Sequence, residues 1–418
     1  MNRIARTLPR AASYWTAAAV AAIALWTSGA PSTTYPLYEA HWHVTAAVTN
    51  AVFAVYPAAL VIVLLVFGDL ADHIGRRAAI LLGLAGMLVG TLLFAVAPGI
   101  GIVFAGRVFM GVGVGLALSP ASAAVLEFSR PGRERAAGAV TTAATALGLA
   151  LATLVGGALI QYAPFPLHLD FWVLVAVIAA VGATVWFMPR HTRDEARGAW
   201  RPRGIAVAPG IRLIYVVAAL SMSTAYMFGA IFLSLGAQIA EQITHAANVL
   251  EVGAIMAAMS VVIGVTALAT RSVRPRSSIA VGAIVVLIAF ALLLDAAYTG
   301  SLAVFITTTL VAGAGYALMF SGSLGLIGQN APAHHRAGTI SAVYLVAYVM
   351  QGLTAVVLGL IATGAGLRSA LDVGAAGVGV FALGALVTAQ ALRARQNAGV
   401  GEDARARASR PAITAFEE

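Results

Sequence analysis

Charged side chains are scarce in this chain, and the few that fall inside apolar stretches are the ones with chemistry to do. Arg107 is the seventh residue of the apolar stretch 101–125. Placing an arginine there costs on the order of 2.5–3.5 kcal/mol even on the lenient membrane-insertion scale, so a partner or a task has to offset it. The plainer reading is a static partner for a carboxylate or carbonyl near the outer surface. Glu251 lies near the outer end of stretch 247–270, and Glu39 closes stretch 14–38 beside His41 and His43. A carboxyl in apolar surroundings is able to exchange a proton near neutral pH. Glu251 is therefore a candidate proton-coupling residue, with a solvated outer position as the alternative. Glu39, His41 and His43 read as loop residues, and His41-Trp42-His43 is too isolated to be a metal site.

Enzyme chemistry is not indicated. There is no H-E-x-x-H, no phosphate loop, and Ser321-Gly322-Ser323-Leu324-Gly325 lacks the first glycine of a nucleophile elbow. The absence of cysteine excludes disulfides and thiolate chemistry, and no cofactor is expected. Uncharged polar residues are distributed unevenly instead. Thr27, Ser28, Thr33, Tyr35, Ser119, Ser221, Ser223, Thr224, Tyr226, Thr308, Tyr316, Tyr344, Tyr348 and Gln351 gather on five stretches, while others are almost wholly aliphatic. Lipid penalises unsatisfied polar groups, so the polar stretches should line an interior. Tyr35, Tyr226, Tyr316, Tyr348 and Gln351 are the candidate substrate-contacting residues; hydroxyls bonded to their own helix or between helices are the alternative.

The elements that must position these residues are membrane helices. Of 418 residues 61% are hydrophobic and 10% charged, with a mean hydropathy of +0.92, far from the roughly 25% charged residues of soluble domains. Twelve stretches are long enough to span a bilayer, at 14–38, 46–67, 78–97, 101–125, 137–160, 169–188, 211–236, 247–270, 278–297, 302–326, 338–363 and 370–392. The first reads as a retained helix rather than a cleaved signal. With the amino terminus inside, Arg76, Arg77, Arg130, Arg133, Arg135, Arg190 to Arg212, Arg271, Arg274, Arg276 and Arg336 all fall on the cytoplasmic side, and only Arg107 and Arg368 do not. The net charge of +9 is thus topological, and no basic groove interleaved with aromatics suggests nucleic acid.

Pro131-x-x-x-Arg135-Ala136 recurs as Pro332-x-x-x-Arg336-Ala337, an offset of 201 residues that also pairs Tyr14 with Tyr215 and Phe104 with Phe305. At this offset Asn50 stands where the second half has Glu251. The expected fold is all-α, with twelve transmembrane helices in two pseudo-symmetric six-helix bundles, 1–189 and 211–393. A polar linker at 190–210 joins them, and a disordered cytoplasmic tail, 394–418, follows.

One loop is more specific than any of this. Gly68-Asp69-Leu70-Ala71-Asp72-His73-Ile74-Gly75-Arg76-Arg77 is a short charged turn between two spans. It resembles the signature between helices 2 and 3 of the major facilitator superfamily of secondary transporters. That resemblance implies a conformational switch at Gly68, Leu70, Asp72, Gly75, Arg76 and Arg77, and helices 1, 4, 7 and 10 around a central cavity. Arg107-x-x-x-Gly111-x-Gly113-x-Gly115 resembles the fourth-helix signature of proton-linked members, whose arginine faces the cavity and handles protons or substrate, and the resemblance implies proton coupling at Arg107. Gly111 and Gly115 form a close-packing face rather than a nucleotide loop. Gly148 to Gly157 resembles the antiporter signature of the drug-exporting branch and keeps its flanking glycines, Gly156 and Gly157 included, but Ala152-Thr153 replaces its Gly-Pro.

The expected function is proton-coupled efflux of a small, partly apolar solute by alternating access, by a monomer in the cytoplasmic membrane with both termini inside. The alternatives are a proton-coupled importer of a sugar or organic acid, and a non-transporting sensor. The expected partners are protons, the solute and the lipid bilayer.

Overall fold

The computed structural model describes residues 7–67, 70–130, 134–189, 207, 210–244 and 248–408. Among them the chain is helical and has no strand. The helices are α1 (Arg10–Gly29), α2 (Tyr35–Trp42), α3 (Ala46–Phe67), α4 (Leu70–Ile74), α5 (Arg76–Ala95), α6 (Ile100–Phe128), α7 (Glu134–Tyr162) and α8 (Leu169–Val185) in the first half. The second half contains α9 (Arg212–Thr244), α10 (Val249–Ala269), α11 (Pro275–Thr299), α12 (Leu302–Asn330) and α13 (Ala333–Ala408). A 3-10 turn, Ala30–Thr33, joins α1 to α2, so the two cross as one broken span. α13 is two helices merged across Gly366, whose φ of 87° suits glycine alone. Counted this way there are twelve spans, and α8 is the short one.

The repeat is visible in the element starts. Arg10, Ala46, Arg76, Ile100 and Glu134 recur as Arg212, Val249, Pro275, Leu302 and Ala333, between 199 and 203 residues later. The packing follows suit: α6 lies against α1, α3 and α5, as α12 lies against α9, α10 and α11. The linker falls almost wholly outside the described residues. At the other end the helix persists through 394–408, a stretch expected as a disordered tail; alanine and arginine, frequent there, are both strong helix formers.

Burial sets α9 apart from the other long spans. The most apolar window of α9 is 83% buried, against 44% for α11 and 50% for α5. Leu82, Val89, Ile284, Ile288, Val380 and Val387 point outward from α5, α11 and the second limb of α13, where lipid would cover them. In a bilayer such helices associate by backbone proximity and not by hydrophobic exclusion, which is why glycines mark the seams. A Cβ on Gly111 would come within 2.5 Å of the Tyr56 carbonyl, and one on Gly115 within 2.9 Å of Val63. Both residues fix α6 on α3.

The two halves meet through α3 against α13 and through α7 against α10. The hydrogen bonds that join them gather at the α2 end. Gln238 Nε2 donates to Glu39 Oε1 at 2.6 Å, the Ala47 amide to Thr363 Oγ1 at 2.9 Å, and the Val249 amide to Gln161 Oε1 at 2.8 Å. Gly253 sits against the Thr153 carbonyl, and Gly157 would bring a Cβ to 2.9 Å from the Val249 carbonyl. The structure is therefore closed at the α2 end, which the arginine distribution assigns to the outside.

A larger residue in this seam should pry it open. Overpacking costs about 1–3 kcal/mol, enough to shift a two-state equilibrium by roughly 5- to 150-fold. In a chain without native cysteine, a Cys pair at Ala47 and Thr363 should be joined efficiently by a short thiol cross-linker. Adding Gly253→Leu is expected to cut the yield several-fold, and an unchanged yield would show that the seam tolerates bulk.

Candidate functional site

Arg107 is fully buried in α6 and pairs with no carboxylate among the described residues. Its guanidinium donates to the Ser28 carbonyl of α1 at 3.0 Å and to the Tyr35 hydroxyl at 2.6 Å. Three ring faces surround it, with centroids at 5.9 Å for Tyr35, 5.8 Å for Phe53 and 5.2 Å for Tyr56. Local sequence explains why a carbonyl is available. α1 ends at Gly29, with Pro31 following in the 3-10 turn, so the last carbonyls of the helix are released from the regular ladder. The Nε of Arg107 has no acceptor, which leaves one charged donor in the cage unspent.

The second cluster belongs to the carboxy-terminal half. Tyr226 of α9 lies 4.8 Å from Tyr348, 6.3 Å from both Phe320 and Tyr344, and 6.4 Å from Tyr316, centroid to centroid. α9, α12 and α13 each contribute rings, because all three are centred on this half's core. Tyr348 also packs against the amino-terminal core and lies within electrostatic reach of Tyr56, so the two clusters adjoin. Gln351, one turn beyond Tyr348, is buried with its Oε1 unpaired, and Ser223 Oγ is likewise unpaired. These are acceptors and a rigid aromatic wall without a protein partner, a combination suited to an amphipathic solute.

The remaining expected residues lie elsewhere. Tyr35 belongs to the Arg107 cage and not to the tyrosine cluster. Glu251 is exposed on the first turn of α10, where a negative charge meets the positive end of the helix, and no described contact brings it to Arg107. Gly156 presses on Thr33 and Asp170, while Gly157 presses on α10. In the loop, Gly68 lies outside the described residues, as does the side chain of Asp72; Leu70 begins α4. Gly75 has a φ of 87° and Arg76 opens α5, pairing with Glu127 of α6 at 2.6 Å. Arg77 donates to the Met188 carbonyl at 3.2 Å and stacks on Trp186. Both arginines bind their own half here. Glu39, assigned to a loop, is half-buried in α2 and accepts from Thr49 Oγ1 and Gln238 Nε2, each at 2.6 Å.

Sequence reasoning assigned no site role to Phe53, Tyr56, Phe320 or Asp170. For Tyr56 the signal was available, since it lies in the same helix turn as Phe53 opposite a lone arginine. Asp170 had only its presence inside an otherwise aliphatic stretch.

Comparison with known proteins decides the family. The sequence profile described as Major Facilitator Superfamily matches residues 17–355. The chain belongs to the Major Facilitator Superfamily. Members are transporters, not enzymes. The chain is 33% identical over 144 residues to the puromycin resistance protein pur8 of Streptomyces alboniger, covering 34% of this chain and 28% of that protein. It is 30% identical over 156 residues to the multidrug efflux pump LfrA of Mycolicibacterium smegmatis, covering 37% and 30%. The chain thus matches under a third of the length of either relative. A crystal structure of a bacterial homolog of the human lysosomal transporter Spinster, inward-facing and unoccupied, superposes with a TM-score of 0.69 at 14% identity, over 91% of this chain and 97% of that one. The occupied form gives 0.67 at 12% identity over the same shares. At these identities the likeness is one of fold.

The cage generates a stability prediction. Tyr35→Phe removes an acceptor from a buried guanidinium, a loss of about 1.5–3 kcal/mol for a charged hydrogen bond. The melting temperature in detergent should fall for Tyr35→Phe and stay unchanged for Tyr162→Phe at the exposed end of α7. Equal melting temperatures would mean that Arg107 finds another acceptor.

Proposed function

We propose that this major facilitator superfamily protein is a secondary active transporter of the cytoplasmic membrane that exports a small, partly apolar solute in exchange for protons. The observation that carries the reading is the tyrosine cluster. It sits where the two cores adjoin, on the most buried helix of the second half, and offers unpaired acceptors at Gln351 and Ser223. Rigid rings with single hydroxyls suit an amphipathic solute better than a sugar, which would call for several converging amides and charges. The relatives named for puromycin resistance and multidrug efflux favour the outward direction. Both termini lie in the cytoplasm, as the arginine distribution requires, and the unit is the monomer.

Transport follows from rocking of the halves about the midplane. The hydrogen bonds at the α2 end close the outer gate in the state seen here, leaving solute access from the Gly75 end. In the opposite state the Gly68–Arg77 loop takes over, with Asp72 and Arg76 bridging to the other half once Arg76 leaves Glu127. Arg107 is the positive group of the coupling machinery, and its unspent Nε donor is available to a charge that arrives during the cycle.

Cells lacking the chromosomal copy and expressing variants test this reading through a panel of toxic compounds. Tyr226→Ala and Tyr316→Ala should each change which compounds are tolerated, by several-fold in inhibitory concentration, whereas Leu82→Ala on the outer face of α5 should not. Indifference of the whole panel to both tyrosines would sink the cavity assignment. Arg107→Ala, reconstituted in liposomes, should lose pH-driven accumulation while exchange without a gradient persists. Accumulation equal to that of the unaltered protein would remove Arg107 from coupling.

A further inference from the structure

Asp170 is a carboxyl that nothing in the site described so far uses. It is the second residue of α8, 1% exposed, and neither of its oxygens has a hydrogen-bond partner. Burying an unpaired carboxylate anion costs several kcal/mol, whereas the neutral acid is tolerated. The surroundings are built around it. Gly156 of α7 turns bare backbone toward it: a Cβ there would stand 3.3 Å from Asp170 Oδ2 and 2.8 Å from Thr33 Oγ1. The buried hydroxyl of Tyr38 lies within its electrostatic reach.

The other titratable or charged groups are few. His168, at the cap of α8, is near in sequence and has an unpaired Nδ1. Arg107 of α6 acts on Tyr38 from the other side and donates to Ser28 and Tyr35. From α5 comes Phe94, tilted against Phe171, and α1, α5 and α7 carry their charges at the opposite end, while Glu39 of α2 and Glu251 of α10 lie at the same end as Asp170.

The wall that covers Asp170 is also the outer seam. Gly157, the next residue of α7, packs on Val249, Leu250 and Gly253 of α10, and the Ala30–Thr33 turn touches α9 and α10. Separating the halves at the α2 end removes α10 from behind Gly156 and Thr33 and admits water to that wall.

We propose that Asp170 is the proton-binding site of this transporter. When the outer seam opens, the carboxylate takes a proton from water and becomes a neutral acid. Closure of the seam then seals the carboxyl in the arrangement seen here, and its proton passes inward through the Tyr38 hydroxyl, on which Asp170 and Arg107 both act, before the carboxylate takes up the next one. No bond other than O–H is made or broken. The inference rests on the proton-coupled reading above, but it has a readout of its own.

That readout is infrared spectroscopy of the full chain in lipid. The protein should show a protonated-carboxyl C=O band that Asp170→Asn removes, that Asp170→Glu restores at a shifted position, and that alkali but not sodium chloride abolishes. A spectrum in which Asp170→Asn removes no such band overturns the proposal, as does displacement of the band by sodium at constant pH. In liposomes carrying an internal pH dye, with puromycin as the probe, Asp170→Asn should cut puromycin-linked proton movement by about ten-fold or more. Proton-coupled movement that is equal in the unaltered protein and in Asp170→Asn defeats this inference alone. Puromycin movement without protons in the unaltered protein defeats the coupled reading, and the inference falls with it.

Discussion

A guanidinium sealed from water with no carboxylate beside it has to be held by dipoles and ring faces, and that requirement organises the amino-terminal half. Arg107 needs the released carbonyl at the end of α1, the hydroxyl at the start of α2 and two rings of α3. Two charge-assisted hydrogen bonds at about 1.5–3 kcal/mol each, with cation–π contacts of about 0.5–2 kcal/mol, are the right size to offset an insertion cost on the order of 2.5–3.5 kcal/mol. None of these contributions survives unless the four segments meet within hydrogen-bond distance. The break of the first span at Gly29 to Thr34 is thus no defect. It turns a carbonyl and a tyrosine toward one point that a straight helix could not supply together.

The halves share a backbone plan but divide the chemistry. At the offset of 201 residues, Arg107 corresponds to Thr308, Asp170 to Leu371, and Gly115 to Tyr316. Where the first half uses glycine to draw α6 onto Val63 of α3, the second half places a ring that joins the tyrosine cluster. The buried ionisable pair Arg107 and Asp170 therefore belongs to one bundle and the tyrosine cluster to the other. A duplicated fold permits this division because each helix keeps its neighbours while its inward residues change.

The spans, the repeat and the switch loop were legible because each is a local property: length of apolar run, spacing of Pro and Arg, glycine in a tight turn. The solitary arginine was legible for the same reason. Its partners were not, since Ser28 and Tyr35 lie 79 and 72 residues away, and Tyr35 looked equivalent to the cavity tyrosines. Glu251 drew attention as a carboxylate in an apolar stretch, yet the first turn of α10 leaves it exposed. Asp170 sits in an equally apolar stretch and is buried. What separates the two is Gly156, a residue whose absent side chain makes room for a carboxyl on another helix, and no pattern within either stretch encodes that.

Two clusters in different places can still be coupled without touching. A ligand shifts a conformational equilibrium only by its difference in affinity between the two states. For a proton on Asp170 that difference is the cost of burying the anion when the seam closes, several kcal/mol for an unpaired ion. Moving a two-state equilibrium from 1:99 to 99:1 takes about 5.5 kcal/mol, so one carboxyl supplies a large part of what the gate requires. The solute, bound against Tyr226 and Tyr348 where the cores adjoin, biases the same rocking motion from the other side. The coupling then resides in the shared seam of α7 and α10, and the bare backbone of Gly157 and Gly253 is what allows that seam to close tightly enough for the difference to be felt.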